Sequence, residues 1–312
     1  MIIVTGGAGF IGSSLVKALN DRGHSDVLVV DDMTDGRKFR NLVDCDFADL
    51  VDKDDFLERV LWGEDLGEIL AVFHQGACSD TLEWDGRYLL RTNYEYSKAL
   101  LDFCASRGVP LIYASSAAVY GAGPEFREDA ACEAPLNMYA YSKLLFDRHV
   151  RGRLPQIRSQ VVGLRYFNVY GPREQAKEEM ASVVFKLDRQ LRRGERLELF
   201  RGSDGYADGA QLRDFVYVGD VCNVNLWFLD HPEQSGLFNV GTGRAQSFND
   251  AAQAVIGYHG RGELDYVPIP QTLRGVYQSF TQADLTALRA AGYEAPFLSV
   301  EEGVPLTLKS LE

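Results

Sequence analysis

Short runs of β-branched and aliphatic residues alternate, over the first two-thirds of the chain, with longer stretches whose apolar positions recur every three or four residues. The runs at 2–5, 27–31, 69–74, 111–115 and 160–165 predict strands; the periodic stretches at 10–21, 53–61, 88–106 and 139–151 predict helices, the third stopping at Gly108. Strands alternating with helices of this length predict an α/β fold, a doubly wound parallel sheet covered on both faces. After Arg165 the rhythm breaks into shorter elements spaced by Gly and Pro, which predicts a smaller C-terminal α/β region. The expected division is 1–166 together with about 214–242 for the sheet, where 214–218 and 238–240 read as strands that return to it. The second region then takes 167–213 and 243–312. The polar, Gly-rich stretch 202–212 is expected to be a mobile loop.

In 312 residues, 46% hydrophobic content is enough for a sizeable core, and the longest unbroken apolar run is the five residues 69–73. A membrane-spanning helix needs about 20. Acidic residues outnumber basic ones 45 to 32, for a net charge of -13, so the chain as a whole repels nucleic acid and anionic lipid. Any anionic ligand must be met locally. Five scattered cysteines without a C-x-x-C pair fit reduced thiols, and five histidines without ligand spacing predict no metal site. Met1 runs almost directly into a glycine motif with no basic and apolar leader, so the expected compartment is the cytoplasm.

That motif, Gly7-Ala8-Gly9-Phe10-Ile11-Gly12 with Gly6 before it, follows a strand and opens a helix. Glycines there let the backbone approach a pyrophosphate, which the helix N-terminus attracts. Asp31, 19 residues after Gly12 at the end of the next strand, is placed to accept ribose hydroxyls, with Asp32 beside it. Together these predict a Rossmann-type dinucleotide site. Asp31 favours NAD, whereas Arg37, Lys38 and Lys53 are able to gather around the 2′-phosphate of NADP; the residues alone leave both open. Gln75-Gly76-Ala77-Cys78-Ser79 adds a second backbone segment at the strand ends.

Tyr139 and Lys143 stand at i and i+4 on one helix face, where a cation is expected to lower the phenol's pKa from its ordinary value near ~10. Tyr94 and Lys98 repeat the spacing, but inside the helix that precedes the strand 111–115. Tyr139 opens the helix that follows that strand, close to its carboxyl end, so Tyr139 and Lys143 are the expected catalytic pair. Ser116 at the strand end is expected to bond a substrate oxygen, with Ser115 its competitor because alternation turns the two to opposite faces.

These motifs, with Ser115-Ser116-Ala117-Ala118-Val119-Tyr120-Gly121 and Arg165-Tyr166-Phe167-Asn168-Val169-Tyr170-Gly171-Pro172, make the chain resemble the extended short-chain dehydrogenase/reductases. Ala117 and Ala118 stand where nucleotide-sugar dehydratases of that family carry an acidic pair, which disfavours dehydration. Phe73 to Ser79, Glu83-Trp84-Asp85-Gly86, Lys177 followed by Met180-Ala181-Ser182-Val183, and Arg213-Asp214-Phe215-Val216-Tyr217-Val218-Gly219-Asp220 resemble the ADP-L-glycero-D-manno-heptose 6-epimerase family. That resemblance implies an isomerase supplying heptose for the lipopolysaccharide core, with NADP as cofactor, an ADP-sugar as substrate and a homo-oligomer, a homopentamer, as the assembly. It implies Tyr139 and Lys177 as two acid/bases, Lys143 as the group that orients cofactor and phenol, and Ser116 as an assistant. It implies cofactor contacts at Gly6, Gly9, Phe10, Ile11, Gly12, Asp31, Asp32, Lys38, Lys53, 75–79, Asn93, Lys143, Val169 and Lys177. Substrate contacts fall at Asn168, Glu179, Lys186, Phe200, Arg201, Gly202, Ser203, Arg213 and Tyr277, with Arg274 a further candidate for the diphosphate. The chain departs from the family pattern where Glu178-Glu179 replace a Gly-Ser pair, Lys186 a histidine, Arg201 an acidic residue and Thr92 an asparagine, which leaves Asn93 as the polar neighbour of the cofactor, and where the loop 205–212 is longer. A UDP-hexose 4-epimerase and a non-catalytic NADP-binding regulator are the rival readings.

Overall fold

A computed structural model describes residues 1–194, 196–271 and 277–312. In chain order, β1 (Ile2–Thr5), α1 (Phe10–Asp21), β2 (Val27–Asp31), β3 (Asp49–Asp52), α2 (Lys53–Leu61) and β4 (Ala71–His74) lead to a short helix, α3 (Gly86–Leu89). A π-helical turn, Leu90–Glu95, joins it to α4 (Tyr96–Arg107), followed by β5 (Leu111–Ser116), α5 (Met138–Arg153), β6 (Val161–Tyr166) and β7 (Asn168–Tyr170). Then come α6 (Val183–Arg192), β8 (Leu197–Phe200), β9 (Leu212–Arg213), β10 (Phe215–Tyr217), α7 (Val218–Asp230) and β11 (Gly236–Val240). The C-terminal part holds β12 (Gln246–Ser247), α8 (Phe248–His259), β13 (Leu264–Val267), α9 (Thr286–Ala290) and α10 (Val300–Lys309).

Seven parallel strands form the main sheet in the order β11-β6-β5-β4-β1-β2-β3. Every residue of β1, β2, β4 and β6 is buried, which is why these strands are continuous apolar runs rather than alternating ones. On one face Val4, Phe73, Ile112 and Leu164 pack with Leu15 of α1 and Val221 and Phe228 of α7. On the other, Ile3, Val72 and Tyr113 pack with Phe56, Leu100 and Phe146. Each such side chain, fully buried, contributes roughly 1.5–3 kcal/mol before chain entropy is counted. A third cluster joins α6, β8, α8 and α10 through Leu187, Leu197, Val255 and Val304.

The fold class follows the sequence pattern, and α1 and α2 begin and end where expected. β3 went unseen because Asp49-Leu50-Val51-Asp52 is a short edge strand with an acid at each end, a composition that suits an exposed edge. The expected helix over 88–106 is three pieces, closed at Gly108 in the left-handed region (φ +69°). Of the two strands expected to return to the sheet, 238–240 does so within β11. By contrast β10, within 214–218, leaves it and pairs with β7 in a separate parallel pair. The stretch 202–212 is irregular backbone as far as β9, as expected of a loop, and is tied at several points. Gly202 N donates to Asp208 Oδ1 at 2.8 Å, Gly209 N to the Phe200 carbonyl at 3.0 Å, and the buried Gln211 amide to the Arg201 carbonyl at 2.7 Å. Strand order reverses between β1 and β4, and the crevice at their carboxyl ends is where ligands of such sheets collect.

Candidate active site

The glycine motif fills the first turn after β1. A Cβ on Gly12 would stand 2.0 Å from the Gly6 carbonyl oxygen, and one on Gly6 would stand 2.6 Å from Gly76 N, so the protein's own packing demands both glycines. Gly9 is different: a Cβ there would meet only the Gly6 oxygen, at 3.2 Å. Gly9 caps α1 with no side chain bonded to its first turn, which leaves the helix N-terminus as an anion cradle. This geometry fits a dinucleotide pyrophosphate.

Asp31 is pinned rather than free. Its Oδ2 accepts from Ala8 N at 2.8 Å and its Oδ1 from Lys38 Nζ at 2.9 Å, while Lys38 also donates to the Asp32 carbonyl at 2.8 Å. Lys53 pairs with Asp54 at 2.7 Å and reaches Asp32 at 3.9 Å. Hydrogen bonds from Thr34, then Lys53 and Lys38, hold the Asp32 carboxyl below its usual range. Lys38 and Lys53 therefore converge at the end of β2 as expected, but Arg37 does not join them: it pairs with Asp35 and with Glu178.

The segment 75–79 forms the other side of the crevice. Gln75 N and Gly76 N bond to the Thr5 backbone and hydroxyl at 3.0 and 3.2 Å. The Gln75 side chain joins a buried ring with Tyr166 and Asn225: Tyr166 donates to Gln75 Oε1 at 3.0 Å, Asn225 to Tyr166 at 2.9 Å and Gln75 to Asn225 at 3.3 Å. Asn93 is 1% exposed. Its Oδ1 accepts from Cys78 N at 2.8 Å and its Nδ2 donates to the Cys78 carbonyl and to Ser142, both at 3.0 Å. With its amide so committed, Asn93 shapes the loop instead of presenting a group to a cofactor, a correction to its expected role as a direct neighbour.

The N-cap of α5 is Asn137, whose Oδ1 accepts from Ala140 N at 2.8 Å, so the helix opens beside the end of β5. Its first turn places Tyr139 next to Ser116, whose hydroxyl favours the phenolate; burial outweighs this and raises the phenol above its ordinary value. The expectation that Lys143 lowers it fails for a physical reason. Lys143 is itself buried, donates to the Ala114 carbonyl at 3.0 Å, and is pushed down to about 8 by burial against opposing pulls from Asp147 and Cys78. Ser115 turns away, as alternation requires, and donates to Asp147 at 2.8 Å. The fully buried Asp147 also accepts from Tyr113 at 3.0 Å and Arg165 Nε at 2.8 Å, and Arg165 bonds Glu133 at 2.6 Å. This network clamps α5 to β5 and β6 behind the site. Tyr94 and Lys98 lie elsewhere, Lys98 paired with Glu95 and stacked over the Tyr94 ring.

Lys177 stands over the Phe10 ring at the start of α1, 5.4 Å from its centroid. Burial lowers its pKa, the buried Glu174 opposes this, and Lys186 adds to it, so Lys186 on α6 is close enough to be felt. Glu174 organises the turn, accepting from Gly171 N at 3.0 Å, Ser182 N at 2.6 Å and the Ser182 hydroxyl at 2.7 Å. Glu178 holds a left-handed backbone (φ +46°), the conformation glycine adopts freely and the one a Gly-Ser pair would supply. The Glu179 side chain and Arg274 lie outside the described residues.

Of the remaining candidates, Arg201, Gly202, Ser203 and Tyr277 line a second cavity of about 800 Å³, with Asp204 and Tyr206 beside them. Phe200 packs edge to face on Tyr277. Arg201 is exposed and its Nε donates to the Tyr266 carbonyl at 3.2 Å. Arg213 is 5% exposed, between the rings of Tyr277 and Phe248 at 5.0 and 5.5 Å, and burial lowers its pKa. Its Nη1 donates to a main-chain carbonyl, that of Leu212, at 3.0 Å. A buried guanidinium set between rings suits a diphosphate. Asn168, on β7, accepts from Thr281, with Val169 partly buried beside it. Next to Arg213, Asp214 closes three chain segments together by accepting from Thr242 N, Gly243 N and Ala283 N at 2.7–2.9 Å. Among the described residues, no three His, Cys, Asp or Glu side chains are grouped to hold a metal ion, and no helix is long and apolar enough to cross a membrane.

Solved structures share this arrangement over nearly the whole chain. The ADP-L-glycero-D-manno-heptose-6-epimerase of Helicobacter pylori is 31% identical, with a TM-score of 0.86 over 99% of this chain and 95% of that one. The UDP-glucose 4-epimerase of Thermus thermophilus, in complex with NAD, is 30% identical, with a TM-score of 0.82 over 99% and 98%. The UDP-N-acetylglucosamine 4-epimerase of Methanobrevibacter ruminantium is 25% identical, with a TM-score of 0.86 over 99% and 97%. The NAD dependent epimerase/dehydratase family matches residues 2–241, and with the glycine cradle, the Tyr139–Lys143 helix and the seven-stranded sheet in place, the chain belongs to that family, as a nucleotide-sugar epimerase/dehydratase of the extended short-chain dehydrogenase type that uses a nicotinamide dinucleotide.

Proposed function

We propose that the chain inverts C6 of an ADP-linked heptose, converting ADP-D-glycero-D-manno-heptose to ADP-L-glycero-D-manno-heptose with a retained NADP. The observation that carries this reading is Lys177: a second, half-buried titratable group beside α1, with its pKa lowered by desolvation, in addition to the half-buried Tyr139. One base fixed at one position cannot serve both epimeric hydroxyls equally, and two groups in different environments can divide the work. The bound dinucleotide supplies reversible hydride transfer at the carbinol carbon. Tyr139 exchanges the proton of one hydroxyl position, assisted by Ser116. Lys177, more readily neutral than an exposed lysine, exchanges it at the other. Lys143 orients ribose and phenol, and Arg213 holds the diphosphate between its two rings. Lys38 and Lys53, at the end of β2, supply the charge for a 2′-phosphate and support NADP over NAD. The H. pylori enzyme's likeness supports the same substrate.

The test is proton NMR of the C6 signals after incubation of the purified protein with ADP-D-glycero-D-manno-heptose, with UDP-glucose and UDP-galactose in parallel. Interconversion of the heptose without net formation of reduced cofactor supports the reading. Turnover of a UDP-hexose with none on the ADP-heptose overturns it in favour of a 4-epimerase.

A further inference from the structure

The loop that carries Lys177 is tied at two points to the loop after β2. Arg173 grips both oxygens of Asp44, at 2.8 and 2.7 Å, and its Nη1 donates to the Asn41 carbonyl. Asn41 is buried, and its Nδ2 donates to the Ala8 carbonyl at 3.0 Å, inside the glycine motif. The first tie is thus continuous, by hydrogen bonds, with the cradle itself. At the second tie the charges are reversed, with Arg37 of the β2 loop bonding Glu178 of the Lys177 loop at 2.7 Å. The residues that reach across from the Lys177 loop, Arg173 (φ +74°) and Glu178 (φ +46°), both hold left-handed backbone although neither is glycine. Between them Lys177 rests over Phe10 at the first turn of α1.

We propose that these two ties form a strap over the N-terminus of α1 that positions Lys177 and sets how fast a dinucleotide is exchanged. The inference rests on the reading of the glycine cradle as a dinucleotide site. A ligand whose pyrophosphate lies on that helix terminus, with its adenosine toward Asp31, is flanked by the segment 173–178, through Lys177 over Phe10, and by the segment 37–45, through Lys38 on Asp31, and the ties join those segments. The device suits a reaction that returns its hydride to the carbon it came from, because such an enzyme has no need to exchange its cofactor at each turnover. The inner tie dominates: Arg173 is 14% exposed and spans two acceptors, Asp44 (58% exposed) through Nη2 and the Asn41 carbonyl through Nη1, whereas Arg37 and Glu178 are each 60% exposed and joined by an ion pair alone, which contributes little.

Release is read by the loss of reduced-nicotinamide fluorescence when protein loaded with NADPH or NADH is mixed with excess oxidised dinucleotide. Arg173→Lys, which keeps the charge but not the fork, is expected to release both about tenfold faster, and Asp44→Asn to act in the same direction. The exchange Arg173→Asp with Asp44→Arg is expected to recover most of the loss that Arg173→Asp alone produces. Glu178→Gln is expected to speed release of both by about twofold. Unchanged release in Arg173→Lys and Asp44→Asn, or no recovery in the exchanged pair, overturns the strap. So does slower release of NADPH alone in Glu178→Gln, which would show Glu178 competing with a 2′-phosphate for Arg37. The measurement needs no sugar, so it stands apart from the choice of substrate. Failure of the parent protein to bind either dinucleotide would reject the reading of the cradle, and the strap with it.

Discussion

Lys143 donates to the carbonyl of Ala114, two residues before Ser116, and so fixes the catalytic face of α5 to the end of β5 through one buried amine. Burial brings that amine to about 8, from 10.5 in an exposed chain. One group then gives two pH effects of opposite sign. Activity that depends on its charge is expected to fall as pH rises through about 8. Stability is expected to rise between about 8 and 10.5, because there the unfolded chain binds the proton that the folded chain has released. Lys143→Arg, whose guanidinium stays charged, is expected to move the alkaline fall in kcat/KM upward. A wild-type profile flat to pH 10 would contradict this account.

Tyr139→Phe removes the phenolic proton and keeps the ring, and is expected to lower epimerisation by roughly 10² or more while dinucleotide content is unchanged. Lys177→Met is expected to cost a similar factor. An undiminished rate in the Phe variant would remove Tyr139 from the chemistry, and an undiminished rate in the Met variant would favour a single-base enzyme of the 4-epimerase kind.

The two glycines flanking Phe10 and Ile11 are expected to separate fold from binding. Gly12→Ala brings a methyl to 2.0 Å from the Gly6 carbonyl, a backbone contact that cannot yield cheaply, so the melting temperature should drop by several degrees or expression should fail. Gly9→Ala meets only one contact at 3.2 Å. It should fold with nearly the parent's melting temperature yet bind dinucleotide at least about tenfold more weakly, because the added methyl stands where backbone must approach the pyrophosphate. Equal melting and equal binding in both variants would mean that the cradle does not hold the ligand.

Much of this was legible in the sequence because the signals were local. The glycine motif, the Asp31 spacing and the Tyr139–Lys143 turn each need only neighbours in the chain, and alternation alone separated Ser116 from Ser115. What escaped depends on distant partners. Asn225 meets Gln75 and Tyr166 across 150 and 59 residues, and Asp147 on α5 collects Tyr113, Ser115 and Arg165 from the strands β5 and β6. Their signal was a polar side chain among buried apolar neighbours, as at His74 and Arg165, which marks a satisfied network without saying with whom. The pKa of Tyr139 was misjudged because burial, invisible in spacing, outweighs the charge one turn away. The bonds that tie 202–212 to Phe200 and Arg201 also lie beyond what its polar composition shows.

His74 closes β4 with both ring nitrogens engaged, Nδ1 with the Thr5 hydroxyl at 2.6 Å and Nε2 with Ser97 at 2.8 Å, and burial, aided by the charge on Lys143, brings its pKa down to about 3. The imidazole thus stays neutral in the fold where the unfolded chain, titrating near 6.5, takes up a proton. Acidification from about 6.5 toward 3 is therefore expected to favour unfolding, this one group supplying a slope of up to about 1.4 kcal/mol per pH unit. His74→Gln, which cannot titrate, is expected to cost about 1–3 kcal/mol at pH 7 through the bonds it leaves imperfect, and to flatten the acid slope. Urea unfolding of parent and variant at pH 7, 6 and 5 measures both. Parallel slopes in the two proteins would show that the acid sensitivity arises elsewhere, since no other change distinguishes them.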